Sequence, residues 1–223
     1  MNMHAINSVR TSKTADLLLT HVGTEGSASH AYLALPDLTS GREALRNMAD
    51  AAHYLCVLHG RVPGVIDHAL TRTQEPIGRE WLERSAEAFG IERALLTRLA
   101  VATGPLPSTP GQAQCDTAVL QQRHALEMLA LSDRAGCALG AAVALVLDWA
   151  AVRTVLEAAA RRVSIAPSDC TLPPPDETCH VVDAVATSVG VERAMRFGAQ
   201  QLLAQHRGLW DLLGARQAAR AQQ

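Results

Sequence analysis

Ala135-Gly136-Cys137-Ala138-Leu139-Gly140-Ala141-Ala142-Val143-Ala144-Leu145-Val146-Leu147-Asp148-Trp149-Ala150-Ala151-Val152 reads as a helix without a polar face. Alanine and leucine favour helix, and a helix that is apolar all round must be surrounded by its neighbours. Gly136 and Gly140 stand four apart, so they share a face and permit close backbone approach. Such a pair suggests dimerisation in a membrane, and tight internal packing in a water-soluble fold. The apolar run up to Asp148 is short for a bilayer, which needs about 20 residues. This stretch sets the expectation for the whole chain: all-α, about six or seven helices around a central element spanning about 133–161.

Composition agrees. Alanine occurs 39 times and leucine 29 times in 223 residues, against seven aromatics, so strands have little to be built from. Working outward, Leu45, Met48, Ala52, Leu55 and His59 recur at helical spacing behind Ser40-Gly41-Arg42-Glu43, which has the form of a capping box. Pro63 and Pro76 suit the first turns of two further helices, and Thr109-Pro110-Gly111-Gln112 has the form of a second box. Pro173-Pro174-Pro175 ends the longest later break. Leu202, Leu203, Leu209, Trp210 and Leu213 then mark one face of a last helix. The expected organisation is a mobile N-terminal arm over 1–38, a helical-bundle domain over 39–213 and a polar tail over 214–223. Gly90-Ile91-Glu92-Arg93-Ala94 echoes Gly190-Val191-Glu192-Arg193-Ala194 one hundred residues later, as a duplicated half or a coincidence would produce.

A net charge of −2 and the scarcity of aromatics argue against nucleic acid as a partner. The longest early apolar run, Leu17-Leu18-Leu19, is no signal segment, so the expectation is a cytoplasmic chain with no membrane partner. The five cysteines form no C-x-x-C pair; only Cys170 and Cys179 flank a loop across which a bridge is conceivable.

Asp148 stands out, because a carboxylate in an apolar helix needs a partner. It is either a metal ligand or general base, or a buried ion-pair member with an arginine such as Arg123 or Arg153, or a partner of an indole. Helical bundles build di-iron centres from carboxylates and histidines on facing helices. The candidate ligands here are Asp50, His53, Glu92, His124, Glu127, Asp148 and Glu192, without any Glu-x-x-His pair. His59, on an apolar face, is the candidate axial ligand for a haem. Cys179-His180 is a poor nucleophile pair, since sequence neighbours on a helix diverge. No G-x-S-x-G and no phosphate loop occur.

The run Ala49-Asp50-Ala51-Ala52-His53-Tyr54-Leu55-Cys56-Val57-Leu58-His59-Gly60-Arg61, its continuation Pro63-Gly64-Val65-Ile66-Asp67-His68-Ala69, Gly104–Gln112 and Arg134–Ala142 resemble a family of uncharacterised helical proteins from sphingomonad-type alphaproteobacteria. The resemblance covers about residues 40–213. It implies a bacterial cytoplasmic protein and transfers no catalytic residue.

Three functional readings follow. The first is a non-enzymatic interaction module or homodimer that exposes an apolar face at Leu209, Trp210 and Leu213. The second is a bundle enzyme or carrier holding a metal or haem. The third binds a small apolar ligand beside the Gly136/Gly140 face.

Overall fold

In the computed structural model, which describes the backbone of residues 3–222 and the side chains of 14–222, α7 (Cys137–Arg162) runs through the middle of the molecule. Each of the eight other α-helices packs against it. They are α1 (Met3–Glu25), α2 (Pro36–Thr39), α3 (Ala44–His59), α4 (Val65–Arg72), α5 (Pro76–Ala102), α6 (Gln112–Ala130), α8 (Pro175–Val185) and α9 (Val189–Ala221). Two short 3-10 turns, Ser27–Ser29 and Ala31–Ala34, join α1 to α2, and no strand occurs among the described residues. The fold is all-α, with more helices than the six or seven expected, because the N-terminal region adds α1 and α2. By length and composition α7 could cross a membrane, but 78% of its most apolar window is buried inside the protein.

The central crossing is between α7 and α9, and it depends on residues without side chains. A Cβ on Gly140 would overlap the backbone of Met195, and one on Gly198 would overlap the carbonyl of Cys137. The two backbones therefore lie in direct contact. The face expected to border a cavity for a small apolar ligand is filled by Val191 and Met195 of α9.

Both ends of the chain depart from expectation. The segment expected as a mobile arm is helical from Met3 to Glu25, and Ala15, Leu18, Tyr32 and Leu38 are core residues. Its polar composition hides an apolar stripe that α8 and α9 cover. Met1, Asn2 and the side chains of residues 3–13 lie outside the described residues. Nor do residues 214–222 form a tail: α9 continues through them to Ala221. Arg216 and Arg220 return from it to the buried Asp50, at 2.8 and 2.5 Å. Arg216 also donates to Gln112 and to the carbonyl of Pro107, while Arg220 donates to Asn47 and Thr109. Asp50 is thereby neutralised within a clamp that fastens the end of α9 to α3 and to the loop before α6.

Neither capping box forms. The hydroxyl of Ser40 bonds back to the carbonyl of Pro36, and that of Thr109 to the carbonyl of Pro107. Caps form elsewhere, among them Glu75, accepting from the N–H groups of Ile77 and Gly78, and Ser188, accepting from Val191. Cys170 and Cys179 are both free thiols.

Candidate functional site

Asp148 lies halfway along α7 and is buried, as are Ser27, His206 and His59, which gather around it from the first 3-10 turn, α9 and α3. Ser27 donates to it twice, from its N–H at 2.7 Å to Oδ1 and from its hydroxyl at 2.5 Å to Oδ2. Nδ1 of His206 donates to Oδ2 at 2.6 Å. The indole N–H of Trp210 donates to the Ser27 hydroxyl at 2.8 Å, completing that oxygen's bonding. Gly26 makes room for this approach, since a Cβ there would meet the Asp148 carboxylate.

The chain of polar groups continues to a second imidazole. Nε2 of His206 faces Nε2 of His59 at 2.9 Å, with one proton between them. The His59 ring stands edge-on to Trp149 and Phe89, with centroids 5.6 and 6.3 Å away. Burial, then the neighbouring His206 and Arg93, hold the His59 imidazole well below its ordinary value, so it is neutral. Burial alone would raise the pKa of the Asp148 carboxyl. The hydrogen bond and charge of His206 and the two bonds from Ser27 outweigh it, so the carboxyl lies below its ordinary range and is ionised.

This arrangement is a relay of Asp, His and His, and its chemistry is narrow. It can hold one negative charge and pass one proton between two rings. It is not a nucleophile triad, because the Ser27 hydroxyl is aimed at the carboxylate and no imidazole is poised to take its proton. The ring nitrogen of His59 that an iron would take is turned to His206, so His59 does not fit a haem ligand.

The other expected ligands do not converge on Asp148. Asp50 is held by Arg216 and Arg220. His53 bonds the carbonyl of Gly104 at 2.7 Å. Glu92 is buried, accepts from the indole of Trp149 at 2.9 Å and pairs with Arg153. His124 and Glu127 sit together on the outside of α6, 3.8 Å apart, and Glu192 lies in the first turn of α9. Among the described residues, no group of three or more His, Cys, Asp or Glu side chains is placed to hold a metal ion. Neither expected arginine reaches Asp148: Arg153 serves Glu92, and Arg123 lies 3.5 Å from Glu127. The two copies of the Glu-Arg-Ala echo have different environments, with Glu92 buried and Glu192 only partly so.

Leu209, Trp210 and Leu213 are not an interaction face. All three are 0% exposed. An amphipathic stripe at the end of a chain looks the same whether it meets a partner or the chain's own core, and here Tyr32 stacks toward Trp210 with centroids 6.5 Å apart. Sequence reasoning passed over Ser27 and His206. His206 had a signal, because it falls between Leu202/Leu203 and Leu209/Trp210 on the apolar face of α9. Ser27 had none.

No curated protein and no solved structure matches the chain. Residues 22–221 match the model of DUF6975, a family of unknown function. That span runs from the end of α1, through every residue around Asp148, to the end of α9, and the chain belongs to this family.

Proposed function

We propose that the chain is a non-enzymatic interaction module of the bacterial cytoplasm, in a sphingomonad-type organism as the sequence resemblance implies. The interior supports this reading. The Asp148–His206–His59 relay is buried, with every polar atom of Ser27 and both oxygens of Asp148 engaged inside the fold.

The observation that carries the reading is on the outside of α6. Every exposed position from Ala113 to Leu131 holds a residue other than Asp, Glu, Lys or Arg. The preceding helix, α5, exposes Arg79, Glu80, Glu83, Arg84, Glu87 and Arg98. Depletion of charge marks the centre of a protein interface. Beside this face, Met128, Phe197, Gln201 and Gln205 line a groove of about 450 Å³ between α6 and α9, together with Arg134, whose guanidinium carbon lies 5.7 Å from the Phe197 ring centroid. Met128 is 59% exposed and Phe197 42%, unusual for large apolar side chains standing together.

A photo-reactive amino acid placed at Met128 in the source organism tests this. An adduct at Met128, with none from the same group placed at Glu83 on α5, is expected. Absence of any adduct at Met128 sinks the reading.

A further inference from the structure

His59 holds the least secured position in the buried relay. It is the last residue of α3, and Gly60 behind it opens a loop in which Arg61, Val62 and Pro63 are all exposed. Val62 is 71% exposed and His59 only 4%, so the chain leaves the interior within three residues of the ring. His206 is placed the opposite way. It lies well inside α9, among the buried Leu202, Leu203, Leu209 and Trp210, and its Nδ1 is tied to Asp148 at 2.6 Å. When the two rings part, His59 is the one free to leave.

The contact between them accommodates one proton. Nε2 faces Nε2 at 2.9 Å, so one ring donates and the other accepts. A second proton points two N–H groups at each other across that distance. The surroundings offer it no counter-charge. α9 presents His206, and Asp148 of α7 behind it is already engaged by His206 and Ser27. α5 presents Arg93, whose Nε donates to the His59 carbonyl at 3.4 Å and whose guanidinium pairs with Asp67 of α4. Glu92 of α5 is taken up by Arg153 and the Trp149 indole. α6 brings Arg123 and Glu127 to the crevice that Leu58 and His68 also line, and those two pair with each other. α2 meets α3 at its other end, through Asn47.

We propose that the end of α3 is a proton-operated latch. In the closed form His59 and His206 share one proton. On taking a second, His59 swings out with Gly60 and the loop to Gly64, which opens a path from solvent to His206 and Asp148. The rest of the fold stays in place, because α9 is fastened on either side of His206 by the Gly140/Gly198 crossing and by the clamp on Asp50. The latch is independent of the interaction reading above.

Linkage fixes its direction. Inside the closed protein the ring refuses a proton, and once outside it takes one at about its ordinary 6.5. The open form therefore gains on the closed one as pH falls below that value, by about tenfold per pH unit.

Native-state hydrogen exchange on the full chain, corrected for the chemical exchange rate, reads the opening. The amides of Leu58, His59 and Gly60 are expected to lose protection by about tenfold per pH unit below about 6.5. Low concentrations of urea should leave these amides unmoved, because a local opening exposes little surface, while speeding exchange in the cores of α5 and α9. His59→Phe should abolish the acid response at the end of α3, and His68→Gln should keep it. Protection of residues 58–60 that stays flat from pH 7.5 to pH 5 overturns the latch. So does an acid response there that climbs with urea as steeply as exchange in α5, since the proton then enters only through unfolding of the whole chain. A response lost in His68→Gln moves the titrating group to α4 and overturns the assignment. Should His59→Phe fail to fold, the urea comparison on the parent chain decides alone.

Discussion

Asp148 and His206, 58 residues apart in the chain, meet at 2.6 Å inside the protein and fix α9 on α7 at its middle. The bond joins two groups that the interior would otherwise reject, a carboxylate and an imidazole, both 1% exposed at the side chain. Removing either partner leaves the other buried and unsatisfied.

Asp148→Ala should therefore destabilise the protein by about 3–5 kcal/mol, and Ser27→Ala by about 1–3 kcal/mol, the cost of unpairing buried groups. Urea unfolding at neutral pH measures both. Losses below about 1 kcal/mol for Asp148→Ala would mean that the relay contributes little.

Acid should weaken the fold in two stages. His59 is depressed below its ordinary 6.5, so below that pH the unfolded chain takes up a proton that the folded one refuses. Stability then falls with pH at about 1.4 kcal/mol per unit, until the folded value is reached. Asp148 is also depressed, so its contribution is full above its ordinary 3.8 and is lost as pH drops through its folded value. Urea midpoints between pH 7 and pH 3 test the order. His59→Phe should flatten the upper stage, and an unchanged slope there would refute the assignment to His59.

Gly140→Ala and Gly198→Ala should each separate α7 from α9, since the added methyl group meets backbone rather than a movable side chain. A cost of about 1–3 kcal/mol or more is expected for such overpacking. Gly90→Ala is the control: it lies within α5 with open space at its Cβ position. It should stabilise by about 0.5–1 kcal/mol. Thermal melts of the three variants decide.

Truncation after Ala215 removes Arg216 and Arg220 and leaves Asp50 buried without a counter-charge. A loss of about 3–5 kcal/mol is expected, with Asp50→Asn restoring part of it in the truncated chain. A truncated protein as stable as the parent would show that residues 216–223 are the dispensable tail their composition suggests.

What could be read in advance follows from the range of the interactions. α7 was legible because all-round apolarity needs no partner to interpret. Pro76 and Gly60 were legible because proline and glycine act on their own backbone. The clamp on Asp50 was not, since Arg216 lies 166 residues from it and an Arg/Gln/Ala stretch is equally good as helix or solvated end. Ser27 was hidden for the same reason, being 121 residues from Asp148 in a region of ordinary polar composition. The Ser40 and Thr109 boxes failed because short hydroxyl side chains have competing local acceptors, and both took one. The face of Leu209, Trp210 and Leu213 was correctly seen as apolar and wrongly turned outward, since periodicity gives a stripe and not its occupant.

The α7–α9 crossing has a consequence for how the protein is made. Residues are added from the N-terminus, so α7 leaves the ribosome before α9 is complete. Through that interval the most apolar helix of the chain lacks its largest cover, and Asp148 lacks His206. A nascent chain in this state presents a segment that passes for a membrane span by length and hydropathy, with a bare glycine face open to the wrong helix. The last 33-residue helix therefore acts as the closing stroke of folding, and the period just before it is when this chain most needs a chaperone.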